Sequence, residues 1–498
     1  MPELPLVARA RSHAERTAIV ATEGTFTYRH LLAYSSRVGA ALLDGRADLH
    51  EARIPFLMPP SFAWVATQWG IWRAGGIAVQ MAVSHPPAEL DYVIRDTSAA
   101  VAVVHLEWAE RVRGVRVVTT DHVLSRPVYP STRPPVVSAG RRAMIVYTSG
   151  TTGKPKGAVT THAGIEAQVS SLVEAWGWTA SDKILLVLPL HHVHGIVNVL
   201  TCALWAGATC EMAPRFDADK VWERMAQGDL TLFMAVPTIY QRLIATWDAA
   251  PRDRQKAYSA GCGKMRLMVS GSAALPVSTL ERWREISGHT LLERYGMTET
   301  GMILSNPLEG ERRPGSVGNP LPRVVVRLVD ESAKPVPLGQ PGEIEVRGPA
   351  VFTEYWGKPE ATAAAFRGGW FRTGDVAVFE NGGHRILGRN SVDIIKTGGY
   401  KVSAIEIEEV LRTHPEIAEC AVVGIEDAEW GERVCVAVEL KGKGELTIAM
   451  LEKWAKELLA PYKVPRALTC VAALPRNAMG KVVKPDVTKL FRSGGQSA

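Results

Sequence analysis

The chain has 498 residues, 46% of them hydrophobic and 22% charged, an ordinary balance for a globular enzyme with room for about three domain-sized units. Its 57 basic and 51 acidic residues leave a formal charge of only +6. That charge is dispersed rather than massed in a run, which argues against a nucleic-acid partner and is compatible with anionic small molecules.

The start, Met1-Pro-Glu-Leu-Pro-Leu-Val-Ala-Arg9, has acid and proline where a signal peptide needs a basic, apolar design, and no apolar run reaches membrane-spanning length. Membrane insertion is therefore not expected. Residues 1–125 alternate helix-like stretches with short apolar strands such as Val101-Ala-Val-Val-His105, the pattern of an α/β layer. A proline-rich break from Pro127 to Pro135 precedes a second α/β region. Its strands are Ala143–Val146, Lys183–Leu188 and Arg266–Ser270, and residues 196–208 read as a buried helix. From about residue 321 to 380 the pattern turns β-rich, with strands Val324–Val329 and Glu343–Arg347 around a Gly/Pro turn. In the last hundred residues Ser403-Ala-Ile-Glu406 predicts a capping box opening a helix, followed by strands near 420–424 and 434–440 and a helix near 447–459. Six cysteines, at 202, 210, 262, 420, 435 and 470, lie far apart without a C-x-x-C pair, and read as reduced thiols in a cytoplasmic protein.

The segment Tyr147-Thr-Ser-Gly-Thr-Thr-Gly-Lys-Pro-Lys-Gly157 carries the most chemistry. Glycines let backbone N–H groups converge on an anion, hydroxyls add neutral donors, and Lys154 and Lys156 supply charge to phosphate oxygens. The spacing is not that of a Walker A loop, since Gly150-Thr-Thr-Gly153-Lys154-Pro155 puts proline where a metal-binding hydroxyl would stand. The turn Gly271-Ser-Ala273 after its strand is a second candidate nucleotide contact.

Four segments in order resemble the adenylate-forming superfamily of acyl-CoA synthetases, firefly luciferases and peptide-synthetase adenylation domains. They are Tyr147–Gly157; Glu293-Arg-Tyr-Gly-Met-Thr-Glu-Thr300; Trp370-Phe-Arg-Thr-Gly-Asp-Val376; and Gly388–Lys401 together with Pro475-Arg-Asn-Ala-Met-Gly-Lys481. The resemblance implies an α/β fold: a large N-terminal domain, residues 1–387, of two α/β layers plus a β-rich subdomain, and a small mobile α+β lid, residues 388–498. It also implies two half-reactions. A carboxylate attacks the α-phosphate of ATP to give an acyl-adenylate and pyrophosphate, and the thiol of coenzyme A then displaces AMP.

The same resemblance implies residue roles. Thr148, Ser149, Gly150, Thr151, Thr152, Gly153, Lys154 and Lys156 would hold the ATP phosphates, and Thr298 would contact a phosphate. Glu299, with Thr151, would coordinate Mg²⁺. Gly271, Ser272 and Ala273 with Glu293, Arg294, Tyr295 and Gly296 would frame the adenine, and Asp375 and Arg389 would take the ribose. Lys481 would bridge the attacking carboxylate and the α-phosphate, then swing away about a hinge after Gly388 as Gly398, Gly399, Tyr400 and Lys401 arrive to form the coenzyme A tunnel.

Arg294 also bears on the acid. Many relatives that activate monocarboxylates have a neutral residue there, whereas a guanidinium offers a planar fork to a second carboxylate and would be penalised against an apolar chain. His194, in Leu188-Pro-Leu-His-His-Val-His-Gly195, is either a further donor to that carboxylate or a core histidine satisfied by backbone. Met302 would line the acyl pocket, flexible enough to admit a methyl group. The chain thus looks most similar to malonyl-CoA synthetases, which take malonate and often methylmalonate. His191, where relatives often have an aromatic residue, and Ser391, where many have a charged hinge residue, depart from the pattern. A ligase for another short-chain or aryl acid, and an acyl-AMP ligase loading a carrier protein, stay open as alternatives, as do a monomer and a small homo-oligomer.

Overall fold

The computed structural model describes residues 3–127, 134–148, 155–442, 444–476 and 481–492. The expectations for Ser149, Gly150, Thr151, Thr152, Gly153 and Lys154 lie outside the described residues, as does most of the proline-rich break. Among the described residues no helix is long and apolar enough to cross a membrane.

The fold is mixed α/β, with two large sheets, a curled β-subdomain and a C-terminal α+β unit. One sheet has seven strands. Arg116–Thr119, Val101–Val104, Arg53–Leu57, Ile77–Gln80 and Arg142–Thr148 run parallel, and Lys156–Thr161 and Glu354–Tyr355 close the edge antiparallel. The second has nine strands, with a parallel centre through Lys183–Leu186, Leu232–Ala235, Leu267–Gly271 and Leu292–Met297. Strands such as Leu232–Ala235 are buried along their whole length, which is why the sequence shows continuous apolar runs rather than alternation. Trp64, Trp69, Trp176, Trp222 and Trp283 are fully buried in the main core.

Two local expectations are corrected. The helix expected over 196–208 starts earlier and in a wider form: a π-helix over His194–Thr201 runs into an α-helix over Cys202–Ala206. The capping box at Ser403 is half formed. Ser403 Oγ accepts from the Glu406 N–H at 3.1 Å, but the Glu406 carboxylate turns away to Lys463 Nζ at 2.6 Å.

The β-subdomain holds Val325–Val329, Gly342–Arg347, Phe366–Arg367, Trp370–Glu380 and Gly383–Arg389 in one antiparallel sheet. From Arg389 the chain enters the fourth sheet at Ile394. Asp393 fastens that crossing, accepting the Arg389 N–H at 2.9 Å and pairing with Lys484 Nζ at 2.6 Å, which also reaches Glu408 at 2.8 Å. The fourth sheet, Ile394–Thr397, Tyr400–Ser403, Ile417–Asp427, Gly431–Leu440 and Ala467–Cys470, carries helices Ala404–Leu411, Ile448–Ala455 and Lys484–Arg492.

Inside the β-subdomain Glu345 has no solvent exposure and takes both Arg327, at 2.6 Å, and Arg367, at 2.6 Å. Its strand lies beside the one bearing Asp375. Removing a buried carboxylate from two guanidinium groups costs far more than losing a surface pair. Glu345→Ala should therefore lower the urea unfolding free energy by about 3 kcal/mol, and a change below about 1 kcal/mol would show the pair to be idle.

Candidate active site

The described strands on either side of the phosphate segment are antiparallel, with Thr148 opposite Lys156, whereas a P-loop leads from a strand into a helix. The roots of the segment are pinned from behind. Tyr147 donates to Asp96 Oδ2 at 2.6 Å, Lys358 pairs with Asp96 at 3.5 Å, and Tyr92 donates to the Pro155 carbonyl at 2.8 Å. Lys156 Nζ lies 5.0 Å over the ring of Tyr355.

Thr298, Glu299 and Thr300 form the turn between strands Leu292–Met297 and Gly301–Ser305. The turn is tight because Gly296 opposes it without a side chain: a Cβ there would stand 2.2 Å from the Gly301 carbonyl oxygen. Glu299 is buried and its Oε1 accepts from Tyr355 at 2.8 Å. Asp375 and Arg389 face each other across paired strands, with Arg389 Nε 3.1 Å from Asp375 Oδ1 and the Tyr295 hydroxyl 2.5 Å from Oδ2. One small patch therefore presents an acceptor carboxylate, a guanidinium and a phenol.

Arg294 is 2% exposed and lies against Gly271, where a Cβ would sit 2.8 Å from the guanidinium carbon. Only glycine leaves the guanidinium room to lie flat there. Arg294 Nη2 donates to Ser272 Oγ at 3.2 Å, and Ser272 Oγ stands 3.3 Å from His194 Nδ1. Ser272, with a φ of 70°, thus turns its hydroxyl to Arg294 and His194, which leaves its backbone for the adenine frame expected of it. Because a guanidinium can only donate, the Ser272 oxygen accepts from Arg294, and the tautomer of His194 sets which of Ser272 Oγ and His194 Nδ1 donates to the other. Burial, and next the neighbouring Arg294, hold His194 well below the usual histidine range, so it is neutral. Among the described residues, His194 Nε2 and Arg294 Nε and Nη1 have no hydrogen-bond partner. Burial pulls the Arg294 pKa down to about 9, still charged at neutrality.

Glu293, the neighbour of Arg294, points to the other face of its strand and accepts from the Gly315 N–H at 3.1 Å. Among the described residues it forms no ion pair with Arg294. Met302 is buried, with its N–H on Gln168 at 2.7 Å and its methyl end against Gly296. Ala273 is exposed on the loop after Ser272.

The C-terminal unit brings Lys481 to this place. Its pKa is lowered by burial, then by Arg294 and Arg389, and His192 and His194 feel its charge as well. The other candidate residues of that unit stay outside. Gly398 and Gly399 form a turn with positive φ angles of 55° and 81°, Tyr400 stacks on Tyr462 at 4.2 Å, and Lys401 pairs with Glu331 of the β-subdomain at 2.6 Å.

The family description AMP-binding enzyme matches residues 6–356, and AMP-binding enzyme C-terminal domain matches residues 406–481. The chain belongs to the AMP-binding, adenylate-forming enzymes. It is 46% identical over 99% of its length to the mitochondrial malonate–CoA ligase ACSF3 of Mus musculus, covering 91% of that protein. The malonate–CoA ligase of Arabidopsis thaliana is 39% identical over 97% of the chain, with 87% of that protein covered. MatB of Rhodopseudomonas palustris, 34% identical, superposes with a TM-score of 0.90 in its ATP-bound structure, covering 99% of both chains. In its apo structure the TM-score is 0.80 at the same coverage.

Tyr355, Asp96 and Asp393 are not singled out by the sequence, because each acts on a residue distant along the chain. Glu293 carries a further consequence. Burial pushes its carboxyl from 4.5 up to about 8, so the folded chain keeps a proton there that the unfolded chain has released. Stability falls as pH rises from about 5 to about 8 and is level above, by up to a few kcal/mol. Glu293→Gln should remove this slope, leaving melting near pH 5 unchanged and raising it above pH 8; parallel melting curves for the two proteins would contradict the assignment.

Proposed function

We propose that the protein ligates malonate to coenzyme A at the expense of ATP, giving malonyl-CoA, AMP and pyrophosphate through an acyl-adenylate. The observation that carries this reading is the buried pair of donors Arg294 Nε and Nη1, with His194 Nε2 beside them, none of which has a hydrogen-bond partner among the described residues. A second carboxylate supplies the acceptors, and its negative charge answers the guanidinium that burial would otherwise penalise. The activities that the names of the mouse, Arabidopsis and Rhodopseudomonas relatives carry support the same reading.

In this reading the distal carboxylate of the diacid binds Arg294 and His194, and Met302 bounds its carbon. Asp375 accepts from the ribose hydroxyls and Arg389 steadies it. Gly271, Ser272 and Ala273 with Glu293, Tyr295 and Gly296 frame the adenine. Thr148, Lys156 and Thr298, with Ser149, Gly150, Thr151, Thr152, Gly153 and Lys154 of the loop, take the phosphates. Glu299 fits a hard divalent ion, since Tyr355 engages one of its oxygens and leaves the other available; Thr151 would join it. Bound there, Mg²⁺ offsets phosphate charge and draws electron density from the phosphoryl group. Lys481 brings a cation to where the proximal carboxylate and the α-phosphate repel each other, which lowers the cost of their approach.

The boundary falls between residues 387 and 388. The 388–498 unit then rotates about the Gly388–Asp393 crossing, so that Gly398, Gly399 and Lys401 replace Lys481 and line the path of the thiol. The higher TM-score to the ATP-bound than to the apo Rhodopseudomonas structure supports a lid set here for adenylation. The unpaired cysteines support a reducing compartment, the cytoplasm as the sequence suggests, although the mouse relative is by name mitochondrial.

Two measurements test the assignment. In malonate-dependent ATP–pyrophosphate exchange, Arg294→Ala should lose about 2–5 kcal/mol of transition-state binding, roughly 30- to 5,000-fold in kcat/KM, while its rate with acetate holds. Acetate, butyrate or benzoate outrunning malonate on the unmodified protein, or an Arg294→Ala variant that keeps its malonate preference, would reject the substrate. Lys481→Ala should lose malonyl-adenylate formation by at least about 100-fold yet still bind ATP and still transfer a supplied malonyl-adenylate to coenzyme A. An unaffected exchange rate would remove Lys481 from the first half-reaction.

A further inference from the structure

Glu299 and Lys156 are separated by more than a hundred residues, on a turn of one large sheet and at the edge of the other. Both meet one side chain. The Tyr355 hydroxyl donates to Glu299 Oε1 at 2.8 Å, and its ring lies 5.0 Å beneath Lys156 Nζ.

The backbone holds Tyr355 in that double contact. Its two-residue strand pairs with the strand that leaves the phosphate segment, Tyr355 opposite Ala158 and Glu354 opposite Val159. The Trp356 N–H bonds the Gly157 carbonyl at 2.8 Å. Three residues before Tyr355 the Phe352 N–H bonds the Glu299 carbonyl at 2.7 Å, and the Phe352 ring meets Tyr355 edge-on at 4.7 Å. The segment Phe352–Trp356 is thus stitched to the exit of the phosphate segment on one side and to the Glu299 turn on the other.

We propose that Tyr355 is a positioning residue that couples the two halves of the triphosphate site: its hydroxyl engages one oxygen of Glu299 so that the other is presented singly to a divalent ion, while its ring steadies Lys156. The inference rests on the reading of Glu299 as the metal carboxylate. A lone carboxylate with rotational freedom could swing both oxygens toward an ion or away from it; a fixed donor on one oxygen removes that freedom and favours single-oxygen ligation, which suits octahedral Mg²⁺. Tyr355 is predicted to touch neither substrate nor ion.

Tyr355→Phe deletes the hydroxyl and keeps the ring, hence both the Lys156 and Phe352 contacts. The test is calorimetric binding of α,β-methylene-ATP at a series of Mg²⁺ concentrations, on the unmodified protein, Tyr355→Phe, Tyr355→Leu and Glu299→Gln, with melting temperature as the check on folding. Tyr355→Phe should raise the Mg²⁺ concentration for half-maximal binding by about 10- to 100-fold, with metal-free nucleotide binding and the KM for coenzyme A unchanged. Tyr355→Leu should show the same Mg²⁺ shift and weaken metal-free binding as well, since Lys156 loses the ring. A Tyr355→Phe midpoint within about twofold of the unmodified protein, while Glu299→Gln shifts it, would overturn the coupling and leave Glu299 as the ligand. No shift in Glu299→Gln would instead overturn the metal assignment on which the coupling stands. A loss of metal-free binding in Tyr355→Phe equal to that in Tyr355→Leu would mark the hydroxyl as merely structural and overturn the proposal too.

Discussion

A guanidinium buried with donors left over is the constraint from which the acyl side of the site follows. Desolvating a charge is expensive, and Arg294 is almost wholly buried with only the Ser272 oxygen as its hydrogen-bonding partner among the described residues. Lysine would escape by releasing its proton, whereas arginine keeps its charge even with its pKa pulled down to about 9. Glycine at 271 gives the guanidinium a flat bed, and the left-handed backbone at Ser272 turns a hydroxyl toward it and toward His194. A monocarboxylate would leave the whole group unsatisfied, so discrimination comes from what the wrong acid fails to supply as much as from what the right one gains.

The ATP side works in the opposite sense, because there the acceptor is already in place. Asp375 is met by Arg389, its neighbour through strand pairing, and by Tyr295 from the nine-stranded sheet, so it needs no ligand to be compensated. Ribose hydroxyls would exchange with existing donors at little electrostatic cost. One end of the site is therefore strained until its ligand arrives and the other is at rest, which fits a nucleotide common to a whole family and an acid peculiar to a branch of it.

Much of this is legible in the amino-acid order alone, and the remainder is hidden for geometric reasons. Asp375, Arg389, Glu299 and Lys481 are legible because each stands in an ordered motif. The parallel sheets are legible because buried strands leave unbroken apolar runs. The contact of Gly271 with Arg294 is not, since it depends on the register of two strands whose residues are 23 apart in number and whose Cα atoms are paired. Tyr355 sits in a strand of two residues, too short for any periodicity to announce. The π-helix at His194–Thr201 is hidden for a related reason: all its residues are buried, so no solvent-facing stripe records its wider turn in the pattern. Motif places Ser272 at the adenine, and its hydroxyl turns elsewhere because of a backbone angle that residue type alone does not disclose.

The proposed lid cycle has an electrostatic logic of its own. Lys481, Arg294 and Arg389 lie close enough for the two guanidinium groups to depress the lysine, so closure brings like charges together. Contacts elsewhere on the same seam work against that repulsion: Ser403 on the Leu387 carbonyl and Lys401 on Glu331. A triphosphate and a diacid placed among the three cations reverse the sign of the balance, because each then faces anions at short range in a low-dielectric pocket. Once pyrophosphate departs and the proximal carboxylate is esterified, much of that negative charge is gone and the cations again oppose one another. The same three side chains that draw the lid shut over substrates would thus favour its release after the first half-reaction, when Lys401 must give up Glu331 to take its place.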